Sequence, residues 1–179
     1  VLPKTFDDAM GIATISKSIA ENGIAGIYFN NRWGAPETAS LIDYPYIDLL
    51  LAGMIVFVNL FTSNGICTAY IVYLLGFPLT AASMYFLLSY LNINRVTKIV
   101  ISIIYAVSPF HFLRGIGHLA LSNYFTLPLG IYLSFIILDY KKWKESKIRY
   151  CAYACAVLLG LGSAYYAFFV SVILGIALV

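Results

Sequence analysis

From residue 65 to its end the chain is a succession of long apolar runs separated by short polar turns, and that pattern leaves few folds open to it. The runs are Gly65 to Leu91, Val96 to Leu113, Leu119 to Leu138 and Tyr150 to Val179. A helix needs roughly 20 apolar residues to cross a bilayer. Inside the hydrocarbon a backbone can satisfy its own hydrogen bonds only as a helix or a closed barrel. The expected fold is therefore all-α, a multi-pass transmembrane helical bundle. Composition agrees: 11% of residues are charged, where soluble domains carry about 25%, and 61% are hydrophobic. Cys67, Cys151 and Cys155 all fall in apolar runs. No His or carboxylate joins them at ligand spacing, so they read as small lipid-buried side chains, neither a disulfide nor a metal framework.

Within the runs the breaks are readable. Pro78 and Pro128 should kink or bend their helices, and Lys98 should snorkel to the interface. The last run is 30 residues long and is interrupted by Gly160, Gly162 and Ser163. It is either one tilted helix or two short ones meeting near Tyr165 and Tyr166. Three polar stretches separate the runs: a basic turn at 92–98, a polar loop from His111 to His118, and a strongly basic loop at 139–149.

The first 64 residues differ. Thr5-Phe6-Asp7-Asp8 reads as a helix start, with Thr5 as cap and Asp8 at the third helical position. Ile12, Ile15 and Ile19 follow at helical spacing, and Asn22-Gly23 is a stop signal. The segment 6–21 is thus a short amphipathic helix, too polar to span. Asn30-Asn31-Arg32-Trp33-Gly34-Ala35-Pro36 and Asp43-Tyr44-Pro45 read as loops. Tyr46 to Phe61 is apolar apart from Asp48 but short for a span; it reads as an interfacial or re-entrant helix, with a short span the alternative. Two regions result: 1–64, an external loop carrying juxtamembrane helices, and 65–179, the transmembrane part. The chain starts without Met and stops inside an apolar run, which points to an internal piece of a larger multi-pass protein with a span before residue 1.

Charge sets the orientation. Six of the eight carboxylates (Asp7, Asp8, Glu21, Glu37, Asp43, Asp48) lie in the first 48 positions, and seven of the eleven cations (Arg95, Lys98, Lys141, Lys142, Lys144, Lys147, Arg149) lie in the two basic turns. By the positive-inside rule both basic turns are cytoplasmic. By parity 111–118 is external, and so is 7–45 if 46–61 does not cross. The net charge of +3 is explained by this topology and calls for no nucleic acid.

Two external polar clusters could carry chemistry. One holds Asp7, Asp8, Asn30, Asn31, Arg32, Glu37, Asp43 and Asp48. The other is His111, Arg114 and His118, whose spacing would put all three on one helical face. A carboxylate can act as a general base, and Arg with His can hold a phosphate. Structural roles stand beside these. Asp7 and Asp8 complement a helix dipole, each contributing about 0.3–1 kcal/mol. Arg114 fits a headgroup contact, Trp33 an interfacial anchor, and the tyrosines an aromatic belt, although Tyr165 and Tyr166 sit in mid-run.

The Asp-bearing amphipathic segment, the Asn30–Pro36 loop, Asp43-Tyr44-Pro45-Tyr46-Ile47-Asp48, and Ser108-Pro109-Phe110-His111-Phe112-Leu113-Arg114-Gly115-Ile116-Gly117-His118 together resemble the N-terminal part of bacterial multi-pass proteins of the GT-C glycosyltransferase superfamily. The resemblance covers most of the chain through loose motifs. It implies a polyprenyl-phosphate-linked sugar as donor and a glycan or lipid as acceptor, with inversion at the anomeric centre. It also implies an acidic catalytic residue in the first external loop, a position that Asp7 and Asp8 match, although the usual pair is often Asp-Glu. Helices 6–21 and 46–61 would be the juxtamembrane pair.

On that basis Asp7 or Asp8 would deprotonate or orient an acceptor hydroxyl. Arg114, His118 and His111 would receive the lipid phosphate, and Asn31, Arg32, Asp43 and Tyr165 would complete the substrate site. No glycine-rich phosphate loop is present, so no nucleotide site is expected; a divalent cation is left open. The protein would lie in the inner membrane and serve cell-envelope glycan synthesis. The alternative is a transporter or flippase for a lipid-linked glycan. A transporter should place ionisable groups at mid-span, and 65–91 has none.

Overall fold

The computed structural model describes residues 7–27 and 48–177. Among them every regular element is helical. Three helical stretches, Gly65–Tyr90, Arg95–Arg114 and Ile116–Leu138, are long and apolar enough to cross a membrane. The chain forms two compact units, one within Val1–Leu75 and Leu113–Ser122, the other Gly76–Phe112 with Asn123–Val179.

In the first unit α1 (Asp7–Asn22) ends where its sequence says it should. Gly23 takes φ +64°, the left-handed conformation that closes helices at least cost, and a 3-10 turn, Gly23–Ile27, follows. Ile12, Ile15 and Ile19 are all buried. They pack against Leu51, Ile55 and Val58 of α2 (Leu49–Asn59) and against Ala69, Val72 and Leu119. Eleven residues of α2 span about 16 Å, roughly half of a ~30 Å hydrocarbon layer, so α2 is too short to cross. Asn59 ties the unit together. Its Oδ1 accepts from Ser16 Oγ at 2.9 Å and from Thr68 Oγ1 at 2.8 Å, while its Nδ2 donates to the Ser16 carbonyl at 2.9 Å. Ser16 and Thr68 are fully buried, so their hydroxyls need partners; Thr68 Oγ1 also reaches the Asn64 carbonyl at 3.2 Å.

α3 (Gly65–Tyr90) runs through Pro78 as one helix of 26 residues. In the second unit its last turns bear Leu87, which packs with Leu129, Tyr132, Leu133 and Ile136 of α7 (Thr126–Leu138). Ala152, Cys155 and Leu159 of α9 (Ser146–Leu161) and Val170 of α10 (Ala164–Ala177) complete this core. Gly130 lets α10 approach closely, because a Cβ there would collide with the Val170 side chain. The last apolar run is indeed two helices, and the break falls at Gly162-Ser163, just before Tyr165.

Two expectations about turns are corrected. Pro128 does not bend a long helix; it sits in the first turn of α7, after a break at 123–125, where its missing N–H leaves no carbonyl without a bond. The basic stretch 139–149 is mostly helical. Asp139 caps α8 (Tyr140–Trp143), with Lys142 N–H donating to its Oδ1 at 3.4 Å, and α9 begins at Ser146.

Large apolar side chains point outward from these helices, among them Phe61, Val96, Leu113 and Ile176, each more than 70% exposed. Outward apolar surface on this scale is the pattern of lipid-facing helices.

Candidate functional site

Within the second unit, residues 105–112 and 123–126 build a polar region. α4 (Arg95–Ala106) starts at its cap Asn94, whose Oδ1 accepts from Thr97 N–H at 2.9 Å. It stops because Pro109, the first residue of α5 (Pro109–Arg114), has no N–H for the carbonyl four residues back. That carbonyl belongs to Tyr105. Tyr124 Oη donates to it at 2.7 Å and sits 2.8 Å from Ser108 Oγ. The rings of Tyr105 and Tyr124 meet edge to face at 5.2 Å.

One turn into α5, the His111 side chain is wholly buried. Its ring lies 3.8 Å from that of Phe77, tilted 31°, with the Tyr124 ring edge-on at 5.7 Å. Gly76 makes this possible. A Cβ on Gly76 would stand 2.9 Å from His111 Cε1 and 2.5 Å from Asn123 Oδ1. His111 and Asn123 thus share the place on α3 where a side chain is missing. Sequence reading missed both Gly76 and Asn123 as partners of His111. The signals that could have found them were a glycine inside an apolar helix and a lone Asn beside one.

His111, Arg114 and His118 are not the single exposed face that their spacing implied. Gly115, at φ +52°, breaks the helix after Arg114, and Ile116–His118 continues as a 3-10 turn. His111 is buried in the second unit, whereas Arg114 and His118 are exposed in the first. The stretch expected to be a polar loop is mostly helical. His111 is therefore placed as a packing and positioning group, and Arg114 and His118 as the accessible pair.

In the first unit Asp7 and Asp8 form the first turn of α1. α1 packs against the 3-10 turn that carries His118, with Ile116 set against its isoleucine face. Asp48 is the N-cap of α2, its Oδ1 accepting from Leu51 N–H at 2.6 Å. Burial pushes its carboxyl above the ordinary value of 3.8, while the N–H groups of Leu51 and Leu50 pull it back less strongly. Asn31, Arg32 and Asp43, with the rest of the 28–47 segment, lie outside the described residues. Tyr165 is exposed at the start of α10, and its neighbour Tyr166 is buried. Among the described residues no group of three or more His, Cys, Asp or Glu could hold a metal ion.

At the opposite end of α3, Lys142 Nζ donates to Tyr90 Oη at 3.0 Å and lies 4.3 Å from the ring centroid. That contact bridges 52 residues and brings the basic turn at 92–98 and the basic stretch at 139–149 to one end of the second unit. Lys98 Nζ reaches back along α3 to Ser89 Oγ at 3.1 Å, so its stem lies along the helix.

No known protein family, curated protein or solved structure matches this chain.

Proposed function

We propose that the chain acts as a membrane glycosyltransferase of the GT-C kind, moving a sugar from a polyprenyl-phosphate donor to an external acceptor. The observation that supports this best is the packing of α1 on the turn Ile116–His118. It joins in one compact unit a helix that begins at Asp7 and Asp8 and a turn that follows Arg114 and ends at His118, both of them exposed. A base for the acceptor hydroxyl and cations for the departing lipid phosphate are the two chemical needs of the transfer. The two basic turns at one end of the second unit agree with a common cytoplasmic side, which leaves 111–118 to the external side. His111, walled in by Phe77 and Tyr124, would fix the backbone that leads to Arg114 and would not itself touch the donor.

The test is sugar transfer in membranes containing the full-length protein, with a radiolabelled polyprenyl-phosphate sugar. Asp7→Asn or Asp8→Asn should lower turnover by about 10²–10⁴-fold at unchanged protein level. Arg114→Lys should weaken binding of a polyprenyl-phosphate analogue, because Lys lacks the planar fork that grips two phosphate oxygens. Normal transfer by both Asp variants would remove the enzyme assignment. Transbilayer movement of the lipid-linked sugar with no product would make the protein a flippase instead.

A further inference from the structure

A cleft of about 540 Å³ opens at the basic end of the second unit, lined by Tyr90, Leu91, Asn92, Phe135, Leu138, Asp139 and Lys142. Its lining combines polar groups, Lys142, Tyr90 and Asn92, with the apolar side chains of Leu91, Phe135 and Leu138, which are 38%, 40% and 56% exposed. Lys142 uses one N–H on Tyr90. Its contact with Asp139 Oδ2, at 3.9 Å, is an ion pair too long for a hydrogen bond, so its ammonium keeps donor capacity toward the cleft. Asp139 and Glu145 are the opposing charges. The Asp139 carboxylate is also engaged as the cap of α8, and the two are outnumbered at this end by Arg95, Lys98, Lys141, Lys144, Lys147 and Arg149.

We propose that this cleft holds the headgroup of an anionic phospholipid, its phosphate on Lys142 and the Tyr90 and Asn92 side chains, its acyl chain along Leu91, Phe135 and Leu138. The lining itself pairs one cation with one carboxylate, so it is the excess of cations around the cleft that selects an anion, and the exposed apolar lining selects one that carries a hydrocarbon chain. A lone cation over open water would attract anionic lipid only diffusely. Here the ammonium is held in one geometry by the Tyr90 hydroxyl and ring, the arrangement of a site. The inference rests on membrane embedding of the second unit and is independent of sugar transfer, so either can fail alone.

The experiment measures the selectivity of the full chain, reconstituted in phosphatidylcholine vesicles, for spin-labelled phosphatidylglycerol over spin-labelled phosphatidylcholine. The parent protein should prefer phosphatidylglycerol. Lys142→Gln should cut that preference by about fivefold or more, Tyr90→Phe by less, and Lys142→Arg should retain most of it. Lys147→Gln removes the same charge from the same stretch and should change the preference much less. Equal losses for Lys142→Gln and Lys147→Gln would show a diffuse surface charge and overturn the site. Preference for phosphatidylethanolamine over phosphatidylglycerol would overturn the choice of an anionic headgroup. Displacement of the lipid by inorganic phosphate at equal concentration would show that the apolar lining adds nothing and would overturn the choice of a lipid.

Discussion

The hydroxyl of Tyr124 donates to the carbonyl of Tyr105 across 2.7 Å, taking the place of the N–H that Pro109 lacks. An apolar helical stretch can contain an X-Pro break only if other groups satisfy the freed carbonyls. Tyr124 serves two of them, reaching Ala106 O at 3.3 Å as well. Tyr124→Phe keeps the ring packing on Tyr105 and Phe110 but leaves the Tyr105 carbonyl with the Ser108 N–H alone and takes its donor from the buried Ala106 carbonyl. It should cost about 1–3 kcal/mol, read as a lowered thermal midpoint of the purified protein. Ser108→Ala should cost less, and in the Tyr124→Phe background it should cost almost nothing more, because both changes break one network.

Gly76 and Gly53 make an opposed pair. Both lie inside helices, and alanine is the better helix former by about 1 kcal/mol. A Cβ at Gly53 would meet nothing within 4 Å, whereas at Gly76 it would press on Asn123 Oδ1 and His111 Cε1. Gly53→Ala should therefore raise the midpoint slightly. Gly76→Ala should lower it by the equivalent of about 1–3 kcal/mol, the usual cost of overpacking. A Gly76→Ala variant as stable as its parent would mean that the His111 ring moves freely, contrary to its close stacking on Phe77.

Asn59 should prove hard to replace. Asn59→Asp keeps the oxygen that accepts from Ser16 and Thr68 but loses the donor to the Ser16 carbonyl and buries a charge against it. Asn59→Ala strands the fully buried Ser16 hydroxyl and leaves that of Thr68 with only the Asn64 carbonyl. Both should be destabilising by about 1–3 kcal/mol or more, with Ser16→Ala milder. Limited proteolysis should find new cleavage in α1, which depends on this contact to stay on α2. Unchanged proteolysis in both variants would assign the unit's cohesion to the isoleucine face alone.

How much of this was legible in the sequence depends on range. The buried face Ile12, Ile15, Ile19 and the stop at Asn22-Gly23 came directly from periodicity and glycine chemistry, because both act within one helix. The glycines near 160–162 left two readings of the last run open, one tilted helix or two short ones, and the structure has two. The burial of His111 was hidden, since its spacing to Arg114 and His118 assumes a continuous helix that Gly115 ends. Gly76, Asn123 and Tyr124 matter through contacts between residues a dozen or more positions apart, which a local pattern does not encode. The same holds for Lys142 on Tyr90. Asp48 could have been read as a cap from its place before Leu49-Leu50-Leu51; its membership in an acid-rich segment drew attention to charge instead.

Asp48 gives a pH test with a definite sign. Its carboxyl is held above the ordinary 3.8, chiefly by burial. A group whose native value is raised binds its proton more tightly folded than unfolded. The stability it contributes is complete below about 3.8 and is lost as pH rises through the folded value. Above that folded value the side chain is an ionised cap whose desolvation outweighs the pull of the Leu51 and Leu50 N–H groups. Asp48→Asn keeps an oxygen for Leu51 N–H and removes the charge. It should match or exceed the parent in thermal midpoint at pH 7, and the gap should close as the buffer is taken below 3.8. Asp48→Ala removes the acceptor and should lose about 1 kcal/mol at every pH. An Asp48→Asn variant clearly weaker than its parent at pH 7 would show that attraction between the carboxylate and the N-terminus of α2 exceeds the cost of burying it.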